Sequence, residues 1–257
     1  LNKTGFFMEQ LNKVFASEIA QTTLDLSIDY SEAVLDEIIE DGILKEIPVI
    51  KTIASVITIG IKIRERHFTK KFFTFLREFH SKNISSKNLN SFREKFNNDK
   101  IYREKVTEHI LLYNDKFLQI EKSKILANLF QAYVERCIDW DSFSDLSECL
   151  EKLQYKGLMY LIHLSEGGET TNSLTPKWKE YRKDRLESGL TDADLEVKKR
   201  EYDSQFRNLT SNQTILYAAG VGFNTSSFSN GFNLSELGEN LLKYGLDKQV
   251  PLIPEYR

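Results

Sequence analysis

The chain has 257 residues, 40% apolar and 28% charged, a composition that excludes a disordered protein and allows one large core or two smaller ones. A formal net charge of −3 supplies no global positive field for nucleic acid, and four prolines with twelve glycines leave room for long helices, against an all-β fold. Two cysteines, Cys137 and Cys149, read as small buried apolar residues of a reducing, cytoplasmic setting, and not as a disulfide framework.

From Asp25 to Glu46, eight acids meet the single base Lys45, with Ala33, Val34, Leu35, Ile38 and Ile39 interleaved. This spacing predicts an acidic amphipathic helix that Gly42 ends. The seventeen residues from Ile47 to Ile63 are nearly all apolar, but a bilayer span takes about twenty such residues. Lys51 and Lys62 would each cost roughly 2.5–3.5 kcal/mol near a bilayer centre. Lys51, Ser55, Thr58 and Lys62 also fall at intervals of four, three and four, one polar stripe on an apolar helix. The segment therefore reads as the central helix of a bundle, with membrane insertion as the alternative.

Lys62, Arg64, Arg66, Lys70 and Lys71 follow against Glu65 alone, while Ile61, Phe68, Phe72, Phe75, Leu76 and Phe79 continue an apolar stripe. A basic face beside an aromatic one suits either a packed helix with solvated charges or a membrane-surface helix. These five bases are the candidate interaction surface. Ser85 to Lys105, rich in Asn and Lys, reads as a loop or hinge.

From Lys116 to Leu164 helical periodicity returns, with Phe117, Ile120, Ile125, Leu129, Ala132 and Tyr133 on one stripe. Asp139-Trp140-Asp141-Ser142 interrupts it, and Ser142 with Asp145 resembles a capping box that would start a helix near Phe143. Asp139, Asp141 and Asp145 do not form a calcium loop. That pattern places Gly sixth and Glu twelfth, where Ser144 and Leu150 stand. Capping accounts for the acids.

Glu166-Gly167-Gly168 marks a change of texture, followed by a charged tract from Lys177 to Arg207 in which Thr191 and Asp194 signal a helix start. Asn208 to Leu234 carries no charge. Thr214 to Phe223 is apolar, Asn224 to Asn230 is polar turn chemistry, and Ser235 is a natural cap for a last helix through Tyr244. The order helix, two short strands, helix resembles part of a winged-helix unit. Its wing has no Lys or Arg to grip phosphate, which disfavours DNA and favours protein contacts. The fold class is mainly α: a multi-helix bundle with a C-terminal winged-helix-like α+β subdomain, organised as residues 1–84, 85–165 and 166–257.

No phosphate-binding loop, dinucleotide turn, serine elbow or paired-histidine zinc motif occurs, so no cofactor or metal is expected. His163, between Ile162 and Leu164, reads as a core or half-buried residue. His67 and His80 have no metal-ligand neighbours at the spacing zinc needs. Arg103 and His109, with five residues between them, resemble the Arg-x(4–6)-His signature of HEPN ribonucleases, a likeness that implies an acid/base role for His109 and phosphate binding for Arg103. Six residues of ideal helix rotate the side chain by about 600°, however, which sets the two on different faces.

The run Ile125-Leu126-Ala127-Asn128-Leu129-Phe130, then Phe143 and Leu146 opening a helix that ends in Gly157-Leu158 and Leu161, is similar to the helical core of Abi-alpha type abortive-infection proteins of bacteria. Leu234-Ser235-Glu236-Leu237-Gly238 resembles their final segment. The likeness covers the C-terminal half, lies in apolar spacing, and is departed from by the insertion Lys177–Arg207. It implies a role near bacteriophage defence with no catalytic residue. The expected function is thus a non-enzymatic helical interaction protein with a protein partner or a second copy of itself. The alternatives are a membrane-active effector using residues 47–71 and a HEPN-like ribonuclease.

Overall fold

A computed structural model describes residues 63–187, 191–224 and 231–248. The expected acidic helix at 25–46 and the apolar run up to its last residue lie outside these. Among the described residues there are nine α-helices and one two-stranded antiparallel sheet near the C-terminal end, so the chain is mainly α with a small α+β part, as its composition and periodicity predict. Two compact units meet inside one helix, at Ser147 and Glu148.

In the first unit, α1 (Ile63–Ser81) buries the expected stripe of Phe68, Phe72, Phe75, Leu76 and Phe79. The stretch read as a loop is instead two helices, α2 (Ser86–Asn98) and α3 (Lys100–Lys116). Local chemistry explains them. The Ser85 hydroxyl accepts from the Asn88 N–H and caps α2. The Asp99 N–H closes α2 on the Lys95 carbonyl at 2.9 Å, while its carboxylate opens α3 by accepting from the Tyr102 N–H at 2.9 Å. A low apolar count hid α2, since a surface helix needs only a narrow buried stripe; here Phe92 and Phe96, four apart, supply it.

Next, α4 (Ile120–Val134) carries the unit's centre. The Phe130 ring lies 6.0 Å from Phe75, 5.1 Å from Phe79, 5.6 Å from Phe92 and 5.7 Å from Phe143, so three other helices converge on one side chain. The following helix, α5 (Trp140–Lys152), starts three residues earlier than the expected Phe143. Asp139 is its cap, accepting from the Ser142 N–H at 2.8 Å; Ser142 sits in the first turn and does not act as the cap.

In the second unit, α6 (Tyr155–Ser165) buries Leu158, Leu161 and Leu164. It ends at Gly167, whose φ of +85° suits the glycine found there. After a 3₁₀ turn (Thr171–Leu174) come α7 (Thr175–Glu187) and α8 (Asp192–Ala218). The predicted start of α8 is present in full: Thr191 and Asp194 form a reciprocal capping box. The apolar stretch Thr214–Phe223 is divided. Its first part completes α8, Gly220 at φ +75° turns the chain, and only Gly222–Asn224 is strand β1. Strand β2 (Phe232–Leu234) pairs with it antiparallel, Gly222 opposite Leu234 and Asn224 opposite Phe232. The Asn172 amide brackets Phe232 as a third strand would, accepting from its N–H at 2.8 Å and donating to its carbonyl at 2.9 Å. Ser235 caps α9 (Glu236–Asn240) as predicted, and a π turn (Leu241–Gly245) follows.

Candidate functional site

The sequence candidates are dispersed by the fold. Arg103 donates from Nη1 to the Phe96 and Asn97 carbonyls at 3.1 and 2.9 Å, satisfying the orphan carbonyls at the end of α2. His109 points elsewhere on α3, its ring 5.2 Å from Trp140 and 5.1 Å from Phe143, with a buried Nε2 that has no hydrogen-bond partner. Burial first, then the charges of Lys105 and Lys116, push its pKa down to about 4 and keep it neutral. The two side chains are not brought together.

The basic helix also differs from expectation. Lys71 is only 2% exposed, and its ammonium donates to the carbonyls of Asp115 at 3.1 Å and Phe117 at 2.5 Å. It is a structural residue, not part of a solvent-facing surface, because the last carbonyls of α3 need donors and a cation there is favoured by the helix dipole. One turn earlier His67 meets the Leu118 carbonyl at 2.9 Å through Nε2. Lys70 is half-buried, Lys62 lies outside the described residues, and the helix backbone is described at Arg64 and Arg66 without their side chains.

Two further expectations are corrected. His163 is exposed, beside the turn at Gly168. Cys137 is exposed while Cys149 is buried. Among the described residues no group of three His, Cys, Asp or Glu could hold a metal, and no helix is long and apolar enough to cross a membrane. The run 47–62 lies outside those described residues.

A cleft of about 440 Å³ does open in the first unit, between α2, the start of α3 and the turn after α4. Phe92, Tyr102, Tyr133 and Trp140 give it aromatic walls; Lys95 and Arg136 give it positive charge. The Tyr102 and Tyr133 hydroxyls are hydrogen-bonded at 2.6 Å, and burial raises the pKa of both phenols, so they remain protonated. The Lys95 ammonium stands 4.2 Å from the Tyr102 ring centroid, within cation–π range. Arg136 donates from Nη2 to the Ser91 hydroxyl at 2.7 Å. Asp139, the acid at the rim, is engaged with the N-terminus of α5. The adjacent Glu135 accepts from the Ser85 N–H and, at 2.9 Å, from the side-chain amide of Asn88, another residue of the cleft wall.

None of this was visible in the sequence. Lys95 and Tyr102 lay in the supposed loop, and no glycine announced the helix end at Arg136.

A second feature is the antiparallel arm formed by α7 and α8. Trp178 stacks on Tyr181 at 5.3 Å and meets Tyr202 at 5.1 Å, and Lys198 pairs with Asp184 at 2.5 Å, which fixes the register. Most of the other described side chains from Pro176 to Arg207 are exposed.

No protein-family model, curated protein or solved structure matches this chain.

Proposed function

We propose that the protein is a non-enzymatic interaction component that engages a protein partner through the α7–α8 arm, in a role near bacterial defence against phage. The defence setting rests on the resemblance to Abi-alpha type proteins. The observation that carries the interaction reading is the arm itself. Its longer helix has 27 residues, about 40 Å of helix at 1.5 Å per residue, yet buries only Leu209, Gln213 and Leu216 near its C-terminal end. Ordering backbone costs about 1–2 kcal/mol per residue, and the arm returns little of this through burial in its own fold. A helix pair that is polar nearly all round is what a bridging element needs.

Apolar groups near the tip supply a contact. Leu186 is 81% exposed and Val197 55%. The Lys198–Asp184 pair places them at neighbouring rungs of the hairpin, near the same end of the arm.

The test compares the native chain with Leu186→Glu/Val197→Glu, each recovered under native conditions from its own cells and weighed by native mass spectrometry. The expected result is a stoichiometric protein complex for the native chain and an uncomplexed, folded variant. A native chain that is uncomplexed, or a variant that keeps its partner, would remove the reading.

A further inference from the structure

We infer that the cleft between α2, α3 and the turn after α4 binds a small organic anion, a phosphate or carboxylate joined to a flat ring. This inference stands apart from the role proposed for the arm, which lies in the other unit.

The argument begins with the backbone at Arg136. After α4 the Cys137 N–H returns to the Ala132 carbonyl at 2.9 Å and the Arg136 N–H to the Tyr133 carbonyl at 3.0 Å, the closure in which the residue between adopts a left-handed conformation. Arg136 does so, at φ +62°. Where a helix closes in this way, glycine is the usual residue, because a Cβ is strained there. An arginine held in such a conformation is a local cost to the fold, and such costs collect at ligand sites. The return on it is placement: the guanidinium is fixed at the cleft by Ser91.

Hydrogen-bonding capacity then gives the sign of the ligand. Arg136 spends one of its five N–H donors on Ser91, and the Ser91 hydroxyl, accepting that bond, keeps its own proton to give. In the Tyr102–Tyr133 pair one phenol donates to the other, which leaves the second O–H available. Lys95 adds an ammonium. Against these donors stand two carboxylates that are already occupied, Asp139 as a helix cap and Glu135 by the Ser85 N–H and the Asn88 amide. Donors in excess call for a ligand rich in acceptors and negative in charge.

Shape and walls give the rest of the ligand. A space of about 440 Å³ exceeds what a bare oxyanion fills and lies within the range of small-molecule sites, about 300–1,000 Å³. The rings of Tyr133 and Trp140 stand edge to face at 5.5 Å, and flat aromatic walls of this kind favour a planar group.

Trp140 provides the readout. The chain has two tryptophans, so a Trp178→Phe background makes fluorescence report on the cleft alone. Phenyl phosphate and benzoate serve as probes, with inorganic phosphate and benzyl alcohol as their separate halves. Saturable change with at least one ring-bearing anion is expected, about tenfold or more tighter than with either half, and about tenfold or more weaker in Arg136→Gly and in Lys95→Gln. Arg136→Gly relieves the left-handed strain, so its loss of binding is not a loss of fold; circular dichroism checks this. No saturable change with either ring-bearing anion overturns the inference. So does equal binding of benzyl alcohol, or unchanged affinity in both variants.

Discussion

The Lys71 ammonium lies 2.5 Å from the Phe117 carbonyl oxygen, across 46 residues of sequence, and it is this bond that turns a basic residue of α1 inward. Lys71 closes the end of α3 from another helix, a service more often performed within the chain by a local cap. Replacing it by methionine keeps the stem and removes the donor, leaving the Asp115 and Phe117 carbonyls short of a partner. Lys71→Met is expected to lose about 1–3 kcal/mol, whereas the same change at exposed Lys87 stays within about 0.5 kcal/mol. Urea unfolding midpoints of both variants decide this; a Lys71→Met midpoint equal to the parent's refutes the structural role.

Phe130 is the second point of leverage. Because rings from α1, α2 and α5 all rest against it, truncation to alanine opens a cavity that no single helix can close. A loss of about 3–5 kcal/mol is expected. Calorimetry of Phe130→Ala against Phe117→Ala, which has no such convergence among its ring contacts, shows whether Phe130 is the larger loss.

Stability is expected to fall as the solution is made mildly acidic. His80 is held neutral by burial and then by Arg93, and His109 by burial and then by Lys105 and Lys116; both pKa values drop from 6.5 to about 4. Between those limits the unfolded chain binds more protons than the folded one, so stability rises with pH across the window. It is complete above 6.5 and is lost progressively as pH falls towards 4. Replacing His109 by phenylalanine keeps the packing against Trp140 and Phe143 and removes one of the two proton-linked groups. The melting temperature lost between pH 7 and pH 5 should shrink by at least about 2–4 °C in His109→Phe; an unchanged loss would show that His109 is not linked to folding.

Gly238 tests the C-terminal hairpin. A Cβ there would lie 2.1 Å from the Val221 carbonyl oxygen, a backbone atom that also accepts from the Ser235 N–H at 3.0 Å and so cannot withdraw freely. Alanine gains about 1 kcal/mol of helix propensity over glycine, but overpacking costs about 1–3 kcal/mol, and the clash prevails. Gly238→Ala should therefore melt below the parent, with amide exchange across β1 and β2 faster than in the parent. A variant that melts higher would mean that α9 can shift away from Val221.

Local patterns wrote much of this architecture into the sequence. The spacing of Phe68, Phe72, Phe75 and Phe79 determined a buried helical face, and Thr191 with Asp194, like Ser235, determined where helices begin, because periodicity and capping act within a few residues of the chain. α2 was hidden for the same reason: two phenylalanines amid Asn and Lys are too few to signal a stripe until a neighbour covers them. Tertiary structure alone decided which polar groups go inside and which meet. Whether Lys71 faces solvent depends on a carbonyl 46 residues away, and whether Arg103 and His109 share a site depends on what packs against each side of α3. The cleft is legible only in three dimensions, since Lys95, Tyr102 and Arg136 come from three elements and the left-handed turn that places Arg136 leaves no mark in residue type.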